Sequence, residues 1–96
     1  MNSATEIENK LRQLKPFLSE KFSVERIGLF GSYAEQKQNP ESDLDIFVEF
    51  SKPIGWNFFT LEKFLEEQFG LKIDLVTRNA IRSQLKEKIL KQVHFV

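Results

Sequence analysis

Asp43-Leu44-Asp45-Ile46-Phe47-Val48-Glu49-Phe50 is the stretch on which the reading of this chain turns. Every second residue is apolar. Leu44, Ile46, Val48 and Phe50 take one side of an extended strand, and Asp43, Asp45, Phe47 and Glu49 take the other. The period of two puts the carboxylates of Asp43 and Asp45 on one face, with Cα atoms roughly 6.5 Å apart. Carboxylates this close raise each other's pKa unless a cation lies between them. Oxygen ligands at this spacing suit magnesium, which also keeps waters and phosphate oxygens in its shell.

Working upstream, Val24 to Phe30 reads as a strand that Gly31 ends. Ser32 then opens a short helical stretch, and Ser32-x-x-Glu35 fits a capping box. Gly31 has no side chain, so a phosphate can approach the backbone, and the helix amides that follow Ser32 attract an anion. Gln38, Asn39, Pro40 and Glu41 form a polar turn. The first segment is a helix with a capping box at Thr5–Glu8 and a stripe of Ile7, Leu11, Leu14 and Leu18. Pro16 inside that stripe is expected to kink or split it.

Downstream, Asn57 to Phe69 reads as a helix with Phe58, Leu61, Leu65 and Phe69 buried and Gly70 as its C-terminal cap. Leu71 to Val76 is a third strand, with Ile73 and Leu75 facing the core and Asp74 on the opposite side. A last helix covers Ile81 to Lys91, with Ile81, Leu85 and Ile89 in register, and Val93 to Val96 adds an extended tail. The order describes a small α/β (α+β) layer structure, a mixed sheet of three or four strands with helices packed on it. If the second and third strands are neighbours, Asp43, Asp45 and Asp74 cluster on one face, where they could hold one or two divalent ions and orient a triphosphate.

Composition narrows the chemistry. Ninety-six residues, 41% hydrophobic and 29% charged, describe one folded domain spanning residues 1–96. There is no cysteine and a single histidine, His94, so thiol chemistry, zinc–thiolate sites and a histidine-based triad are excluded. Zero formal net charge argues against direct nucleic-acid binding. No run approaches the roughly 20 apolar residues of a membrane span, so a cytoplasmic protein is expected. Most of the ten phenylalanines are read as core fillers, with a few left to line a partner surface, and Trp56 is read as a core or loop anchor. Arg78, Arg82, Lys86, Lys88 and Lys91 are read as a solvated helix face, and His94 as structural or exposed.

Taken together, Gly31-Ser32-Tyr33-Ala34, a spacer to Ser42, and Asp43-Leu44-Asp45-Ile46 resemble the signature of the DNA polymerase beta-type nucleotidyltransferase superfamily, in its minimal nucleotidyltransferase branch. The likeness includes Arg26 to Phe30 before the signature, Ile73-Asp74-Leu75-Val76, and the tail from Glu87 to Val96. It implies that Asp43 and Asp45 bind Mg2+, that Asp74 completes the metal site and helps deprotonate the attacking hydroxyl, and that Gly31 and Ser32 contact the β- and γ-phosphates of a nucleotide. Family members often carry Arg-Gly where this chain has Glu35-Gln36, so a basic residue is lost there. The minimal branch resembles the antitoxin half of modules whose partner is a HEPN-domain ribonuclease toxin. The resemblance therefore implies transfer of AMP from ATP onto a tyrosine of that partner, in a hetero-oligomer. Two alternatives stay open: an antitoxin that masks the toxin without catalysis, and a transferase acting on an RNA or a small molecule.

Overall fold

The structure is a computed structural model that describes residues 4–31 and 43–96. The expectations for Ser32, the capping box to Glu35, Glu35-Gln36 and the turn at 38–41 lie outside the described residues. Helix α1 spans Ala4–Phe22, and Ala4, Ile7, Leu11, Leu18 and Phe22 are buried along it. Because Ala4 is already helical and buried, Thr5 sits inside the first turn and is not the cap. Pro16 does not split the helix. Its ring costs the helix a hydrogen bond, but Leu11 and Leu18 on either side are wholly buried, and their packing holds the two halves in one element.

Ser23 ends α1 in the left-handed region at φ 58°. Its carbonyl accepts the Ser51 N–H at 2.8 Å, which ties the start of the sheet to the end of the second strand. Strand β1, Val24–Phe30, pairs antiparallel with β2, Leu44–Phe50, and the register slips between Val24 and Arg26. This bulge explains why Val24 and Ile27, three residues apart, both reach the same core. Helix α2, Asn57–Phe69, crosses from β2 to β3, Ile73–Thr77, and ends on Gly70 at φ 63° as expected. A 3-10 turn, Arg78–Ala80, precedes α3, Ser83–Gln92, and a two-residue strand β4, His94–Phe95, closes the sheet. The strand order is β3-β2-β1-β4, with β2 and β3 parallel and the other pairs antiparallel.

The sheet buries both faces unequally. Ile27, Leu29, Leu44, Ile46, Val48, Ile73 and Leu75 form the main core with α1 and α2. On the other face Phe47 is wholly buried with Ile81 and Val93, and Phe30, Val76, Ile89, Leu90 and Phe95 pack around them. The alternation of β2 is therefore as read, but the face that carries the aspartates is half dry, because α3 covers its middle.

Three expectations fail for geometric reasons. The third strand begins at Ile73, two residues later than expected, because Gly70 and the following residues turn the chain out of α2. Ile81 lies before α3, so the expected helical register is broken; Ile89 and Leu90 turn inward and Leu85 stays 47% exposed. Trp56 is not an anchor but 84% exposed. It shares the outer face of α2 with Phe59, itself 58% exposed, and their ring centroids lie 5.8 Å apart. His94 is exposed as expected, with Nδ1 3.6 Å from Glu8 Oε2.

Gly28 shows how tightly β4 lies on β1. A Cβ at that position would sit 2.6 Å from the His94 carbonyl oxygen and 2.7 Å from Val93 Cγ1. Gly28→Ala must push β4 away and is expected to cost about 1–3 kcal/mol, measured by urea unfolding. An unchanged midpoint would show that β4 is not held closely.

Candidate active site

The pairing of three strands lines up one row across the sheet. Phe30 is opposite Asp45, and Asp45 is opposite Asp74. Residues in one row share a face, so both aspartates project on the side of Phe47, two residues further along β2. Asp43 stands exposed just before β2 begins. The next residue, Leu44, donates its N–H to the Lys72 carbonyl at 2.9 Å, so the lead-in to β3 is fastened between Asp43 and Asp45. The structure thus sets Asp45 and Asp74 side by side in one row, with the charge of Asp43 felt at Asp45 from just before the strand.

Asp45 is the group most affected. Its pKa is pushed up to about 6. Burial against the apolar patch is the largest cause, followed by the negative charges of Asp74 and Asp43 and a hydrogen bond to the Asp74 side chain. In that bond the protonated Asp45 donates to Asp74. The proton supplies the positive charge that the pair demands. A divalent cation would supply more, through the same oxygens. The donors are all carboxylate oxygens, the set a hard cation prefers. Among the described residues, no group of three acidic, histidine or cysteine side chains is already drawn together as a cage. The set fits a cation by its chemistry and by the pairing of Asp45 with Asp74 on one face.

Gly31 closes the site from the β1 side. Its backbone is left-handed, φ +72°, and a Cβ there would fall 2.1 Å from Asp45 Oδ2. The glycine therefore leaves room for the Asp45 carboxylate where it stands, a contact that sequence reasoning did not foresee. The apolar row of Phe47, Val76 and Leu90 was missed as well. The dry face could have been suspected from Phe47, the one apolar residue on the polar side of β2. A cleft of about 360 Å³ opens at the opposite ends of β2 and β3, between Val48–Pro53 and Thr77–Asn79, and contains none of the aspartates.

The site is thus a parallel strand pair with two aspartates in one row, beside a glycine that ends the preceding strand. Residues 11–95 match the nucleotidyltransferase domain model, and the chain belongs to that family. It is a nucleotidyltransferase whose curated relatives are protein adenylyltransferases. Protein adenylyltransferase MntA of Thermococcus cleftensis is 38% identical over 97 residues, covering 100% of this chain and 98% of that protein. MJ0128 of Methanocaldococcus jannaschii, provisionally named a protein adenylyltransferase, is 41% identical over 93 residues, covering 96% and 95%. A solved minimal nucleotidyltransferase superposes with a TM-score of 0.84 at 22% identity, over 96% of this chain and 94% of that one, and shares the fold. A toxin–antitoxin complex crystallised with AMP-PNP contains a chain with TM-score 0.74 and 27% identity, over 92% of this chain and 70% of that one.

Two outcomes follow from the geometry. A carboxyl whose folded pKa lies above its unfolded value of 3.8 binds a proton more readily in the native state. Between those values the native state holds more protons, so metal-free stability falls as pH rises through about 6. Asp45→Asn removes this penalty and should raise the melting temperature at pH 7.5, with little change at pH 4, by calorimetry in EDTA. Gly31→Ala should displace the Asp45 carboxylate and lower nucleotidyl transfer by about 100-fold. Retained activity would mean that the close approach is not used.

Proposed function

We propose that this protein transfers AMP from ATP onto a hydroxyl side chain, a tyrosine, of a HEPN-type toxin, and silences it as its antitoxin. The observation that carries the reading is the row formed by Asp45 and Asp74 beside Gly31. The relatives support the choice of acceptor. MntA is named a protein adenylyltransferase, and one fold neighbour is the MNT antitoxin in complex with the tri-AMPylated HEPN toxin of Shewanella oneidensis.

In this reading Asp43 and Asp45 would hold Mg2+, as one or two ions, and Asp74 would complete the set. The cation would neutralise phosphate charge and make the attacking hydroxyl more acidic. The acceptor oxygen attacks the α-phosphorus of ATP. A new P–O bond forms to the acceptor, the bond to the bridging oxygen of the β-phosphate breaks, and pyrophosphate leaves. Asp74, the exposed member of the row, takes the acceptor proton. Gly31 leaves room for the phosphates, and Ser32 would reach the β- and γ-phosphates. In this reading the partner presents the hydroxyl in trans, in a hetero-oligomer. No helix among the described residues is long and apolar enough to cross a membrane.

The test is intact-mass spectrometry of the HEPN-type partner after incubation with this protein, ATP and magnesium. The partner should gain whole AMP units, and the Asp43→Asn/Asp45→Asn variant should give none. A stable complex with no mass gain would assign a masking antitoxin instead.

A further inference from the structure

The turn between α2 and β3 is fastened more heavily than a surface corner needs. Its main tie is Glu66, on the last turns of α2. The Glu66 backbone carbonyl accepts the Gly70 N–H at 2.8 Å, forming the helix cap. Its side chain reaches past the turn, and Oε2 accepts the Ile73 N–H at 3.2 Å. Lys10 of α1 adds a bond from Nζ to the Gln68 carbonyl, and its ammonium lies 5.4 Å from the Phe69 ring centroid.

The direction of the Ile73 amide gives the Glu66 bond its meaning. β3 is an edge strand, paired on one side only, with β2. In a parallel ladder alternate residues of a strand turn their amides toward the neighbour. The Lys72 carbonyl faces β2, since it accepts the Leu44 N–H. The Ile73 N–H therefore faces the open edge, where the sheet offers it no acceptor. Glu66 supplies one. The first residue of β3 is gripped on its inner side by β2 and on its outer side by α2, and the next residue is Asp74.

We propose that Glu66 is a positioning residue for the carboxylate row, acting through Ile73 to fix where β3 enters the sheet. Without it, the first residues of β3 are free to peel from the edge, and Asp74 moves away from Asp45. This rests on the reading of Asp43, Asp45 and Asp74 as the cation site. Glu66 itself touches neither nucleotide nor acceptor.

The experiment follows amide resonances of the full-length protein by NMR, with Mn2+ alone as the paramagnetic probe. In Glu66→Ala, hydrogen exchange at Ile73 should speed up about tenfold, the scale of one lost hydrogen bond. The Mn2+ concentration that half-broadens the Asp45 and Asp74 amides should rise severalfold, while cooperative thermal unfolding is retained. Glu66→Gln keeps an acceptor oxygen and should restore both readouts. Broadening in Glu66→Ala at the wild-type Mn2+ concentration would overturn the role of Glu66 alone. So would a Gln variant as impaired as the Ala variant. Absence of broadening in the wild type would overturn the cation site, and the role of Glu66 with it.

Discussion

The parallel pairing of β2 with β3 is the constraint on which the site depends. It sets Asp45 beside Asp74, and antiparallel pairing on the other side sets Phe30 beside Asp45. Side chains alternate along a strand, so a slip of one residue in either ladder would send a carboxylate to the opposite face and drive apolar residues into water. The main core prevents such a slip. Leu44, Ile46 and Val48 of β2 and Ile73 and Leu75 of β3 are buried beneath the row. Removing those side chains from water, at roughly 1.5–3 kcal/mol each, holds the register. The charged row is thus positioned by the apolar residues between its members.

The second, smaller core gives the row its chemistry. Phe47 lies two residues from Asp45 on the same face, and Val76 two from Asp74; Phe47 is buried with Ile81 and Val93, and Val76, Ile89 and Leu90 pack against that cluster. This cover excludes water from one side of Asp45, so its carboxylate is poorly solvated and faces two further negative charges. Such a group demands a positive partner. Below a pH of about 6 a proton serves that part. The left-handed backbone of Gly31 lies against the Asp45 carboxylate, and a Cβ there would force that carboxylate to shift.

Much of this was legible in the sequence. The alternation from Asp43 to Phe50, the strand from Val24 to Phe30, the helix from Asn57 to Phe69 with its Gly70 cap, and the opposite facing of Asp74 all follow from local periodicity. Local periodicity reports which residues turn inward together, and it is reliable where a whole element obeys one repeat. It misread the last helix because Ile81 precedes that helix, so the apparent repeat ran across a 3-10 turn. It misread Trp56 because apolar character alone does not say which side of a helix faces the core.

By itself, then, the sequence determined the elements, the three carboxylates and the family to which they belong, since these depend on residue type and spacing along the chain. Only the tertiary structure decided that β2 and β3 are neighbours in parallel, that Ile81 and Val93 bury Phe47 on the face of Asp45, and that Glu66 reaches the edge amide of Ile73. Each of these joins residues distant in the chain, and such contacts arise when separate elements bury a common surface, a property that no local pattern encodes.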